Sequence, residues 1–343
     1  MSDNTAAPAV KSEHEIGSGM SKKQAKKIRM QSMSREEIGY VRRKAALEKV
    51  WPFFRFVILF GLGFVILYPL IYMVSCAFRD RADMNDPTVM WIPRHYTIEI
   101  MKETIKAMDF GKTLKTTLLL NIGCSFVQVI SCAITGYGFA RFNFKGKKFL
   151  FLIVIMMILV PPQVISLPLF AQFRFFGIKG LFSINLIDSM LTMYLPAITA
   201  NGIRSGLMIL IFRQFFKGLP KELEDAAYID GCGPFMTFIR VMIPNAASSF
   251  LTVFLFSVVW YWNDYYVSTT FFTNTNTVAT MLYNIDTRLS EALFNDATVK
   301  IDPRELIVWK EAGCLLSITP ILVLYVFLQK HFTEGIERSG LVG

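Results

Sequence analysis

Between Lys217 and Asn245 the chain carries the longest polar interruption of its second half, and the residue types there suit recognition rather than reaction. Glu222, Glu224 and Asp225 load the first turns of a predicted helix with negative charge, which complements the positive end of the helix dipole. Leu223, Ala226 and Ala227 fall at i, i+3 and i+4, an apolar stripe expected opposite those acids. Two of the three are alanines, so a second surface can approach closely. Pro220 suits the first helical position, Gly231 and Gly233 suit turns or C-caps, and Pro234 can open a second helix carrying Phe235, Phe238 and Val241. Pro244 then turns the chain into the next apolar run. The spacing predicts a capped helix–turn–helix that another protein can grip.

Reactive chemistry is not predicted elsewhere. Gly111-Lys112-Thr113 imitates the end of a phosphate-binding loop, but Lys106 occupies the position that needs the first glycine. Asp80, Asp83 and Asp86 are evenly spaced without the glycine and distal Glu of a calcium loop, and a solvated loop is expected. Cys76, Cys124, Cys132, Cys232 and Cys314 are scattered without a CxxC, and the three histidines are dispersed, so neither a metal site nor a disulfide framework is predicted. No serine triad or paired carboxylates stand out. No catalytic residue and no metal is assigned.

The elements that must position the polar stretch are membrane spans. The 343 residues are 53% hydrophobic and only 18% charged, with a mean hydropathy of +0.43. That composition excludes an ordinary soluble domain. The formal charge of +10 does not form a basic patch with interleaved aromatics, so nucleic acid is excluded as a partner. The basic residues cluster between apolar runs, as the positive-inside rule expects. Residues 1–50 read as a basic, partly disordered cytoplasmic tail; the long basic region before a span-length run indicates a retained helix, not a cleaved signal.

Residues 51–343 read as an all-α transmembrane domain with six spans, at about 56–78, 116–140, 149–173, 189–213, 243–263 and 307–329. Both termini are expected inside, and the polar stretch forms a cytoplasmic helix between spans 4 and 5. Arg204 interrupts the fourth span. Pro69, Pro161, Pro162, Pro168, Pro196 and Pro320 predict kinked or broken helices. Asn121, Gln128, Gln163 and Asn201 sit at mid-span and must face protein or water.

Asp225-Ala226-Ala227, then Gly231, then Val241-x-Ile243-Pro244 resembles the EAA loop of the membrane subunits of ATP-binding-cassette importers. The usual form is Glu-Ala-Ala, three residues, Gly, nine residues, Ile-x-Leu-Pro; the spacing fits throughout with conservative departures. Four more segments resemble the carbohydrate branch, the maltose-type second membrane subunit. They are Thr135–Phe149 (TGYGFARFNFKGKKF), Leu159–Phe170 (LVPPQVISLPLF), Val258–Tyr266 (VVWYWNDYY) and Leu328–Gly343 (LQKHFTEGIERSGLVG). The last ends Val342-Gly343 where the family's tail usually ends Lys-Gly. The likeness runs from about Phe56 to the end.

The resemblance implies a prokaryotic, multi-pass subunit of the cytoplasmic membrane with no ATPase site of its own. ATP and Mg would be held by two partner ATP-binding subunits, a second permease subunit would complete the pathway, and an extracytoplasmic solute-binding protein would deliver an oligosaccharide or other carbohydrate. Glu222, Glu224, Asp225, Ala226, Ala227, Gly231 and Pro244 would form the ATPase-coupling loop, with Glu224 and Asp225 reaching the ATPase cleft. The outer loop 271–304 is the candidate contact for the binding protein. Aromatic faces stack on sugar rings and Asn or Asp groups bond hydroxyls, so Asn121, Trp262, Asn263, Asp264 and Tyr265 are candidate pathway residues. An interfacial aromatic belt explains the aromatic ones equally well. The alternative is a self-sufficient secondary transporter or channel, which needs intramembrane acids and internal repeats. The acids here sit in loops or at span ends, and no clear repeat is visible.

Overall fold

The structure is a computed structural model and describes residues 34–340 apart from 85, 87, 90, 179 and 180. Most of the expected basic tail therefore lies outside the described residues, as do the last three residues of the carboxy-terminal motif. Where the tail is described it is helical: α1 (Arg35–Ala77) begins well before the expected span and runs through Pro52 and Pro69. The chain divides into a unit up to Pro69 and a second from Leu70. In the first, Phe53, Val65 and Ile66 are 69%, 68% and 71% exposed, an apolar surface suited to lipid rather than water.

The second unit is helical with one small hairpin. After α1 come α2 (Arg81–Met84), α3 (Glu99–Ala107) and the long α4 (Phe110–Arg141). Next are α5 (Lys147–Leu159), α6 (Pro162–Arg174) and the antiparallel β1 (Phe176–Ile178) and β2 (Phe182–Ile184). Then follow α7 (Leu191–Ile198), α8 (Ser205–Gly218), α9 (Glu222–Ile229) and α10 (Pro234–Thr237). A π-turn over Phe238–Met242 leads to α11 (Ile243–Asn245) and α12 (Ala247–Trp262). The chain closes with α13 (Tyr266–Phe271), α14 (Val278–Tyr283), α15 (Ile285–Phe294) and α16 (Pro303–Gly340).

Among the described residues, Val50–Ala77, Phe110–Arg141 and Pro303–Gln329 are each long and apolar enough to cross a membrane unbroken. The other expected spans are interrupted. The third is α5 and α6, bent by 105°, because Pro161 is extended (ψ 142°) ahead of Pro162, which opens a new helix. The fifth is bent by 81° after Asn245. The fourth is α7 and α8, separated at residues 199–204, with Ala200 and Arg204 in the left-handed region.

Helix α4 is the axis of the second unit. Val129, Cys132 and Ala133 pack with Met208, Ile209 and Phe212 of α8 and Val253 of α12. Leu120 and Cys124 pack with Met193 and Ala197 of α7 and Tyr261 of α12. Gly136 permits a close approach of α8: a Cβ there would lie 2.6 Å from the Phe212 Cβ. At the amino-terminal end of α4, a cap forms from α2, α3, α14, α15 and the start of α16. Its core includes Ile100, Met108, Val278, Ile285, Leu289 and Trp309.

Two aspartates brace that cap. Asp83 was expected in a solvated loop, but it is 2% exposed and accepts from the amides of Arg94 (2.7 Å) and His95 (2.8 Å). The His95 amide and ring, with the Arg94 amide, hold its carboxyl below the usual range. Asp188 accepts from the amides of Thr273, Asn274 and Thr275 at 3.1, 3.0 and 2.9 Å. Desolvation alone would raise its pKa, but the Thr275 and Asn274 donors outweigh this and hold it at about 2.

Two outcomes follow. Gly136→Leu is expected to lose about 1–3 kcal/mol through overpacking at α8. Gly138→Leu, where nothing lies within 4 Å, is expected to be neutral. Thermal unfolding of the two variants in detergent checks both. The Asp188 carboxylate is held at about 2, against an unfolded value of about 3.9. Its contribution is complete above about pH 4 and is lost as pH falls toward 2. Hydrogen exchange of residues 273–275, corrected for intrinsic rates, should show that profile, and Asp188→Asn should remove the protection at every pH.

Candidate functional site

The polar stretch folds as expected in outline and differs in one respect that matters. Helix α9 begins at Glu222, two residues beyond Pro220, with Lys221 as its cap. It ends in a Schellman motif: the amide of Gly231 donates to the Tyr228 carbonyl (3.0 Å) and that of Cys232 to the Ala227 carbonyl (2.9 Å). Gly231 has φ +81°, a conformation costly for a residue with a Cβ. Pro234 opens α10. The helix then widens into the π-turn, where the Ile243 amide reaches the Phe238 carbonyl five residues back. Pro244 has no amide to continue the ladder, which accounts for a bend at this point.

The inner face of α9 is Leu223, Glu224 and Ala227, not the expected Leu223–Ala226–Ala227 stripe. Glu224 is 7% exposed. Its Oε1 accepts from the Tyr137 hydroxyl at 2.8 Å. Its Oε2 lies 3.1 Å from Arg141 Nε, an ion pair off the line of the N–H bond. Arg141 also donates from Nη2 to the Leu219 carbonyl at 2.7 Å. A carboxylate can take an inward position because both partners come from the last turns of α4. Tyr137 is itself ringed by Phe142, Phe216 and Phe238, with centroids 5.5, 5.5 and 4.8 Å away. Glu224 is therefore an internal anchor and is not free for an outside cleft. Glu222, Asp225 and Ala226 lie exposed on the opposite face with Ile229, which is 86% exposed.

A cavity of about 780 Å³ lies at the helix breaks. Its wall takes Pro161, Gln163 and Ser166 from α5–α6, Asn201 and Arg204 from the α7–α8 break, and Trp260, Tyr261 and Tyr266 around α12–α13. The broken backbone is met by α4: Ser131 donates to the Ala197 carbonyl at 2.6 Å and Gln128 Nε2 to the Ile203 carbonyl at 2.7 Å. The Tyr261 hydroxyl donates to Gln128 Oε1. Gly202 fits between Gln128 and Tyr261 where no Cβ could.

Two of the five candidate pathway residues, Asn263 and Asp264, line this cavity; the other three do not. Asn121 is 2% exposed and donates to the Val258 carbonyl (2.8 Å), joining α4 to α12. Trp262 is buried and donates to the Ser317 carbonyl at 3.0 Å. Tyr265 stacks on Tyr283, centroids 5.0 Å apart. Helical periodicity turns Tyr261 inward while Trp262 meets α16. Gln163 and Asn201, expected to face protein or water, line it too, whereas Tyr261, Tyr266 and Arg204 were not singled out as lining, although a charge inside the fourth span was a visible signal.

Apolar helices broken around a cavity, with a polar helix held outward on a buried ion pair, define a membrane-embedded transport subunit. Residues 132–338 match the family of binding-protein-dependent transport system inner membrane components. The chain belongs to that family. It is 25% identical over 285 residues to the arabinooligosaccharides transport system permease protein AraQ of Halalkalibacterium halodurans, covering 82% of this chain and 93% of that protein. It is 28% identical over 298 residues to the probable ABC transporter permease protein YurM of Bacillus subtilis, covering 86% and 88%. Its fold matches a chain of a bacterial ABC transporter involved in the import of the acidic polysaccharide alginate, with a TM-score of 0.66, 19% identity, and 83% and 97% coverage.

Glu224→Ala is expected to leave the Arg141 guanidinium buried and uncompensated, at a cost of about 3–5 kcal/mol. Asp225→Ala, on the exposed face, is expected to change stability by less than about 0.5 kcal/mol. The melting temperatures of the purified variants decide between the two.

Proposed function

We propose that this chain is one of two membrane subunits of an ATP-binding-cassette importer for an oligosaccharide. It crosses the membrane six times with both termini inside, at the spans expected from the sequence. Two ATP-binding subunits hold ATP and Mg. Helix α9 docks on one of them through Glu222, Asp225, Ala226 and Ile229, and residues 271–304 meet the extracytoplasmic binding protein. The observation that carries this reading is an outward-facing polar helix fixed to α4 by Glu224, Arg141 and Tyr137.

The mechanism is mechanical. Movement of the ATP-binding subunits displaces α9, and the buried ion pair passes that displacement to the end of α4. Gln128 lies about 20 Å from Arg141 along α4, where it holds the α7–α8 break and Tyr261. A shift of α4 therefore reshapes the cavity wall without any chemistry in this chain. A carbohydrate cargo is supported by the sugar-linked names of the relatives and by the aromatic lining, which offers faces for sugar rings.

The test is co-purification with the cognate second membrane subunit, ATP-binding subunit and binding protein. Asp225→Arg is expected to release the ATP-binding subunit and abolish binding-protein-stimulated hydrolysis, with an unchanged melting temperature. Gly231→Pro, which cannot adopt φ +81°, is expected to release it as well. Retained, stimulated hydrolysis in both variants would sink the docking role of α9.

A further inference from the structure

We propose that Arg204 forms a carboxylate-binding subsite in the cavity, so that the cargo is an acidic, uronate-bearing oligosaccharide. This rests on the reading above that the cavity belongs to a carbohydrate pathway. Arg204 stands at the break between α7 and α8, in the left-handed region at φ 58°. Its side chain is exposed along the cavity wall and has no ion-pair partner among the described residues. Arginine stays charged at any working pH. A charge within a membrane segment is costly unless it faces a polar cavity or meets an opposite charge.

The acid that lines the same cavity does not serve it. Asp264 turns its carboxylate onto the start of α13, accepting from the amides of Val267 (3.2 Å) and Ser268 (2.9 Å) and from the Ser268 hydroxyl (3.0 Å).

Arg204 immediately precedes α8, a 14-residue helix whose positive end favours an anion. Ser205, which opens that helix, is 1% exposed and its side chain lies against Cys132 of α4. The guanidinium fork matches a planar carboxylate in two parallel hydrogen bonds. A single unpaired cation matches the single charge of a carboxylate better than the larger charge of a phosphate monoester. Trp260 and Tyr266 then offer ring faces for the sugar planes.

The experiment uses the whole transporter, this chain with its cognate partners, in lipid nanodiscs and proteoliposomes. Size-matched oligomers of galacturonate, glucuronate and mannuronate are compared with their methyl esters and with neutral counterparts, reading stimulated ATP hydrolysis and uptake. A uronate oligomer is expected to stimulate at least tenfold more than its methyl ester. Arg204→Gln is expected to lower acid uptake ten- to hundredfold with the complex still assembled, and Arg204→Lys to lower it less. Equal stimulation by neutral sugars, or unchanged acid uptake in Arg204→Gln, overturns the subsite. Loss of the second membrane subunit from Arg204→Gln also overturns it, since Arg204 then serves that interface. If the ATP-binding subunit assembles but no sugar of either kind stimulates it, the carbohydrate reading falls, and the subsite with it.

Discussion

A carboxylate buried against a guanidinium at the junction of two helices constrains the rest of this structure. Glu224 and Arg141 lie 3.1 Å apart, almost wholly shielded from solvent, and Tyr137 completes the carboxylate's second oxygen. Such a pair adds little net stability compared with an apolar substitute, yet breaking either half leaves a buried charge with no partner. Its value is therefore geometric. It allows α9 only a narrow range of positions relative to α4, and the aromatic ring around Tyr137 stiffens the joint. A helix so held can transmit a push, which a helix resting on apolar packing alone would partly absorb by sliding.

The same helix meets the opposite physical problem further along. Where α7 ends and α8 begins, the chain exposes carbonyls that lipid cannot satisfy. Ser131 and Gln128 of α4 bond them, and Gln128 is in turn held by Tyr261. The breaks at Pro161 and at residues 199–204 are thus polar on one side and braced on the other, and a cavity opens where they meet. One long helix serves as anchor for α9 and as brace for the cavity wall, so the two sites share a single element. The cap beside its amino-terminal end, held by Asp83, Asp188 and an apolar core, is separately stabilised.

Much of this was legible in the residues themselves. Helical periodicity, the glycine at 231, the proline at 234 and the spacing to Pro244 located the helix–turn–helix, because capping and turn chemistry are local. Long apolar runs located the apolar helices, because hydropathy needs no neighbour to be read. What misled was side-chain direction at positions where two faces were chemically plausible. Glu224 looked like a surface acid until Arg141, 83 positions earlier, supplied its counter-charge. Asn121 and Trp262 looked like pathway groups, but each is consumed by a carbonyl of a neighbouring helix.

The sequence by itself determined the class of protein, the long apolar helices and the existence of a polar helix–turn–helix, since each depends on composition and short-range spacing. The tertiary structure alone decided which acid faces inward, where the spans break, and which residues line the cavity. Those outcomes depend on long-range pairs, such as Gln128 with Ile203 and Glu224 with Arg141. A polar group in a low-dielectric interior goes where its partner is, and no local pattern records where that partner will be.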